Sequence, residues 1–130
     1  AAAGKGRSSV PRGDCARAAA GALSDGFDGR RILEVSGPAP VTQDQIAAWA
    51  SEIAGKTVTH VPVPPDALRK GMVDAGLPPI YAEVLVGFDV DAAEGMHASV
   101  TPVVRDLTGR EPTAVKDFLA ANAAAIRAMA

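Results

Sequence analysis

The sequence predicts an α/β chain with helices dominant, about six of them around two or three short strands. Three observations support this. Apolar residues recur at helical spacing in stretches that close on Gly or on Leu-Pro-Pro, short β-branched runs stand between those stretches, and the helical segments are rich in alanine. With 130 residues the chain is one domain, 1–130, large enough for a modest core. Aromatic residues are only 4% of it, so each helix contact buries little area and stability is expected to lean on a partner surface.

Ser8 to Val10 can form a short strand, closed by Pro11 and Gly13 before a helix from Asp14 to Leu23. Asp14 suits the positive end of that helix. Ser24 to Gly29 (SDGFDG) is a turn by composition, and Arg31 to Val35 alternates apolar and polar residues as a strand does. Thr42 and Gln45 fit a capping box for a helix carrying Ile46, Trp49, Ala50 and Ile53 on one face, stopped at Gly55. The β-branched run 58–63 reads as a strand that Pro62 restricts to an edge or an end. A helix from Pro65 stops at Gly76 with LPP beyond, and another runs from Pro79 to near Glu94. After a loop at 95–100, Thr101-Pro102 reads as N-cap plus N1 of the penultimate helix, which ends at Gly109. Thr113 then caps a last helix whose Val115, Phe118, Leu119 and Ile126 form an apolar stripe.

Net charge is -2 and the basic residues are scattered, which gives no surface for nucleic acid. No apolar stretch reaches the roughly 20 residues that span a bilayer, and no signal-peptide core opens the chain, so no membrane association and a cytoplasmic location are expected. The single cysteine, Cys15, excludes a disulfide framework and a cysteine metal cluster, and is expected on a buried helix face. No metal site is expected. Ser8 and Ser9 lack the neighbours of a nucleophile.

Four segments, in order, resemble one family. LTGREPTAVKDFL (Leu107 to Leu119) is similar to the C-terminal signature of NmrA-like, atypical short-chain dehydrogenase/reductases, and especially their type 2 NAD(P)H:quinone oxidoreductase branch. VPRGDCARAAAGAL (Val10 to Leu23), RILEVSGPAPVTQDQIA (Arg31 to Ala47) and VTHVPVPPDALRKGMVDAGLPPIYAEVLVGF (Val58 to Phe88) resemble the strands and helices that precede it. The resemblance implies a helix-dominated, C-terminal substrate-binding lobe of a Rossmann-like reductase. It implies an NAD(P)H-dependent oxidoreductase acting on a quinone or similar apolar carbonyl compound.

The resemblance also implies what is not here. No G-x-G-x-x-G lies between a strand and a helix, and the run Gly4 to Gly6 has no strand before it, so no cofactor is expected to bind this chain alone. NAD(P)H belongs to the full-length family member, and its catalytic residues would lie upstream. Since the chain opens on Ala1 in the linker-like AAAGKGRSS, it is read as a fragment of a longer reductase whose N-terminal Rossmann half is absent. Its expected partners are that half, or a second copy of the chain, and a small apolar molecule. The strand at 31–35 would join the sheet of the missing half, so it is expected either to pair with another chain or to stay irregular. Two alternatives stay open: a non-catalytic sensor or regulatory module, and a free-standing truncated lobe with an isomerase, cyclase or assembly role.

The substrate-binding candidates are Met72, Tyr81, Phe88 and His97, expected to border one open concavity that is apolar with a few polar tips. Tyr81 is not followed by Lys at the fourth position, so it is a pocket wall or core residue rather than a general acid. Phe88, seven residues on, shares its helical face and either lines the cavity or packs as core. Met72 is a gap filler suited to a planar ligand, and His97 lies in the loop that the family places near the crevice mouth. His60 reads as a strand residue bonded to backbone or water, Trp49 as core, and Asp89, Asp91 and Glu94 as a solvated helix end.

Overall fold

The computed structural model describes residues 4–129. Seven helices follow in order: α1 (Arg12–Ser24), α2 (Gln43–Ala54), α3 (Pro65–Asp74), α4 (Pro79–Glu94), α5 (Val103–Thr108), α6 (Val115–Ala121) and α7 (Ala123–Met129). They pack as α1 on α5, α3 on α4, and α2 on α6 and α7. No helix of the described residues is long and apolar enough to cross a membrane.

Local chemistry explains most boundaries. The Thr42 side chain accepts the Gln45 N–H while the Gln45 side chain accepts the Thr42 N–H at 2.9 Å, and Gly55 closes α2 in the left-handed region. Gly95 and Gly109 end α4 and α5 in the same conformation. The core is built from small residues: Ala18, Ala82, Val86, Ala92 and Val104 are buried. Backbones therefore approach closely, and a Cβ on Gly21 would stand 2.4 Å from the carbonyl oxygen of Leu107 where α1 crosses α5.

The expected strands at 8–10, 31–35 and 58–63 do not form; among the described residues the sheet is reduced to one antiparallel bridge, Arg7 with Val41. Segment 31–35 is irregular, and Ile32, 90% exposed, has no ladder partner to sit beside. At 58–63 the Ser51 hydroxyl takes the place of a neighbouring strand, accepting the Val58 N–H at 2.8 Å and donating to its carbonyl. The last helix breaks at Asn122, whose side-chain amide donates to the Phe118 carbonyl at 2.8 Å, so the apolar stripe divides between α6 and α7.

Two expected caps and one burial are also corrected. Thr113 does not cap α6: the cap position falls to Ala114, and the Thr113 N–H donates to the Asp14 carboxylate at 2.8 Å. Pro102, not Thr101, is the N-cap of α5; the Thr101 hydroxyl donates instead to the Glu34 carbonyl at 2.5 Å. Cys15 is exposed, and its neighbour Asp14 is the residue that turns inward. The linker-like reading of the first nine residues falls in part on 1–3, outside the described residues; from Gly4 onward the segment is packed, with Gly4 against Ala93 and Lys5 against Gly95.

Candidate functional site

The hairpin of α3 and α4 forms one wall. Leu77 donates to the Met72 carbonyl at 3.0 Å as the chain leaves α3, and Pro79 at the first turn of α4 starts the return. Arg69 on α3 then bridges to Glu83 on α4 at 2.6 Å. This sets Met72 beside Leu85 and Phe88. At the far end, Gly95 turns the chain so that the His97 carbonyl accepts the Ser8 N–H at 2.8 Å. The His97 ring lies 6.2 Å from the Phe88 ring, inclined at 52°.

A concavity of about 340 Å³ results, bordered by Arg7, Met72, Leu85, Phe88, Asp89 and His97. Three of the four candidates thus meet in one place. Tyr81 does not line it; it stands two turns earlier on α4 and is 61% exposed. Phe88 is itself 52% exposed, which makes it a wall and not a core side chain.

Arg7 was not legible as a site residue, and neither was Asp89. The Arg7 Nη2 group donates to the Asp89 carboxylate at 2.9 Å and to the Phe88 carbonyl at 3.2 Å, while its backbone bridges Val41. One side chain therefore ties the N-terminal segment to the Phe88 wall. Asp89 is consequently part of an ion pair with a side chain 18% exposed, not a solvated helix end. Beyond Arg7 and His97 the floor becomes polar, with Ser8, Ser9, Glu34, Ser36 and Ser99 around an adjoining hollow of about 260 Å³. At this junction two polar atoms, Arg7 Nε and Ser8 Oγ, are buried without a hydrogen-bond partner.

A different hollow of about 350 Å³ lies between the start of α1, α2 and α6, lined among others by Val10, Pro11, Ile46, Val115 and Phe118. It is the more apolar of the two, but Arg12 and Ser9 are its only polar side chains, so it lacks the convergent polar groups that orient a small molecule. His60 is engaged elsewhere, its Nδ1 2.9 Å from the Asp44 carboxylate, rather than with backbone or water. Trp49 is half-buried on α2, with the Lys116 ammonium 6.0 Å from its ring.

A pyrophosphate needs a glycine turn whose N–H groups are free and gathered at a helix start. The glycines near the site serve another purpose. A Cβ on Gly6 would stand 2.8 Å from the Val41 backbone, and one on Gly37 only 2.1 Å from the Ser9 carbonyl oxygen, so both admit close passage of another chain segment. The Gly37 N–H is already taken by the Ser8 carbonyl at 2.8 Å. Gly6 and Gly37 are therefore taken up by chain packing.

No family model matches the chain. It is 32% identical over 111 residues to an uncharacterised oxidoreductase, YesF, of Bacillus subtilis, which covers 85% of this chain and 39% of that protein. An NADPH-dependent quinone oxidoreductase from Escherichia coli superposes with a TM-score of 0.87 at 26% identity, over 94% of this chain and 44% of that one. The relatives and structural neighbours of the chain are NmrA-like, quinone-oxidoreductase-type NAD(P)H oxidoreductases, and the match is consistent with their C-terminal portion. The lobe also superposes on a Citrobacter triphenylmethane reductase complexed with NADP(H), with a TM-score of 0.82 at 27% identity over 92% of this chain and 42% of that one. It thus spans about two fifths of the proteins it matches.

Proposed function

We propose that the chain is the substrate-binding lobe of an NAD(P)H-dependent reductase acting on a quinone or a similar apolar carbonyl compound. The observation that carries this reading is the half-exposed concavity of Met72, Leu85, Phe88 and His97, apolar on one side and polar on the other, in a lobe shared with such reductases. The lobe contributes shape, orientation and exclusion of water from a planar ligand. The nucleotide is held by an N-terminal Rossmann half, and a cytoplasmic setting goes with that role.

The lobe's uncovered surface supports a partner of that kind. Leu23 and Ile32 are each 90% exposed, and Phe27 is 51% exposed with the Arg31 guanidinium 4.2 Å from its ring. An irregular segment with apolar side chains and no ladder bonds among the described residues is suited to a sheet edge in the nucleotide-binding half, or in a second copy.

The test is binding of 1,4-naphthoquinone to Phe88→Ala and His97→Ala chains, followed by calorimetry. Each substitution is expected to weaken binding severalfold. Because Phe88 is half exposed, its loss should cost stability by only about 1 kcal/mol, below the 3 to 5 kcal/mol typical of a buried Phe. Unchanged affinity in both variants would remove the site from these residues.

A further inference from the structure

We infer that Arg7 is the specificity-determining residue of this site, the donor that fixes a neutral carbonyl oxygen of the substrate; the inference rests on the substrate-lobe reading and deepens it. A guanidinium has five N–H groups. Two observations show that this one is not fully used. Nη2 makes the bonds to Asp89 and Phe88, whereas Nε is buried without a partner and Nη1 makes no hydrogen bond among the described residues. The Ser8 hydroxyl is a second buried polar atom without a partner among the described residues. The Arg7 side chain is 33% exposed and borders both hollows, so its unused Nη1 donors are the ones that an outside polar group can meet.

Position and charge define that group. Arg7 borders both the apolar hollow of Met72, Leu85 and Phe88 and the polar hollow of Ser8 and Glu34. A planar ring seated on Phe88 therefore directs an edge substituent toward the guanidinium. Asp89 at 2.9 Å compensates the positive charge, and Glu34 adds a negative one on the polar side, so the site has no surplus of positive charge for a carboxylate, sulfonate or phosphate. What it can offer is a strong N–H donor to an uncharged acceptor. A quinone carbonyl has that character.

The experiment compares 1,4-naphthoquinone, naphthalene and 1,2-naphthoquinone-4-sulfonate binding to the full 130-residue chain and to its Arg7→Lys and Arg7→Met variants, with circular dichroism as the check on folding. A hydrogen bond from a charged donor corresponds to a difference of about tenfold or more. The native chain should bind the quinone about that much more tightly than naphthalene, and more tightly than the sulfonate. Arg7→Met should lose this preference, the quinone-to-naphthalene affinity ratio falling to about one, and Arg7→Lys should retain part of it. If Arg7→Met weakens both neutral ligands alike, Arg7 only braces the wall and the inference fails, as it does if quinone affinity is untouched; the substrate-lobe reading survives either result. Tightest binding of the sulfonate would overturn the neutral acceptor. Should Arg7→Met not fold, equal affinity of the native chain for quinone and naphthalene would overturn the proposal. Failure of both neutral ligands to bind would overturn the proposal and the substrate-lobe reading together.

Discussion

Gly37→Ala should destabilise the chain by about 3 kcal/mol or more, at the upper end of what overpacking costs, and should loosen the candidate site with it. The added Cβ would lie 2.1 Å from the Ser9 carbonyl oxygen and 3.0 Å from its carbon. Those are backbone atoms and cannot swing aside as a flexible side chain would. Relief requires the 8–9 segment to move, which breaks the Gly37 N–H to Ser8 carbonyl bond and pulls on the neighbouring Ser8 to His97 and Arg7 to Val41 pairs. Gly21→Ala should behave similarly, since it meets the Leu107 carbonyl oxygen at 2.4 Å between α1 and α5. The internal control is Gly87→Ala on α4. Nothing lies within 4 Å of its Cβ, so removal of a helical glycine should leave stability equal or raise it by up to about 1 kcal/mol. Urea unfolding of the three variants separates the cases; a Gly37→Ala chain as stable as Gly87→Ala would contradict the close approach.

Asp14→Ala should cost about 1 to 3 kcal/mol, the range for stranding a buried hydrogen-bonding group. The Asp14 side chain is only 4% exposed, and it accepts the Thr113 N–H across 99 residues of sequence as well as a bond from Arg17. It thereby joins the first turn of α1 to the entry of α6. Burial by itself would push its carboxyl upward in pKa, but the Thr113 N–H and the Arg17 guanidinium outweigh burial and hold it below the usual carboxylate range. The sign of the pH effect follows. A depressed folded pKa means that the unfolded chain binds the proton more readily, so the contribution is complete above about pH 4 and is lost as pH falls through the folded value. Asp14→Asn should therefore flatten the acid limb of stability below about pH 4 and leave the neutral limb parallel. An acid limb as steep as that of the native chain would show that Asp14 is not its source.

These two cases also show which parts of the molecule a sequence can disclose. α2 and α4 were legible because their signals are local: the Thr42 and Gln45 box, Gly55, and the Pro79 start with the Gly95 stop all act within a few residues. Thr113 has the right residue type for a cap, but α6 starts one residue later and the Thr113 N–H goes to Asp14 at the other end of the chain, which nothing near Thr113 signals. The alternation at 31–35 is a genuine strand pattern, yet a strand exists only with a neighbour, and none is present among the described residues. The site divides in the same way. Met72, Phe88 and His97 could be placed from helix spacing and loop position. Arg7 could not, since its bond to Asp89 spans 82 residues. Tyr81 shares the heptad spacing with Phe88 but lies too near the start of α4 to reach the hollow.

Calorimetric titration of the 130-residue chain with NADPH and, separately, with 1,4-naphthoquinone decides whether this substrate lobe depends on another segment for its nucleotide. The expected result is measurable binding of the quinone, weakened by Phe88→Ala, and no detectable heat with NADPH, because Gly6 and Gly37 beside the site serve close backbone passage and not a pyrophosphate turn. Micromolar affinity for NADPH would contradict the claim and would require a nucleotide site built from these residues.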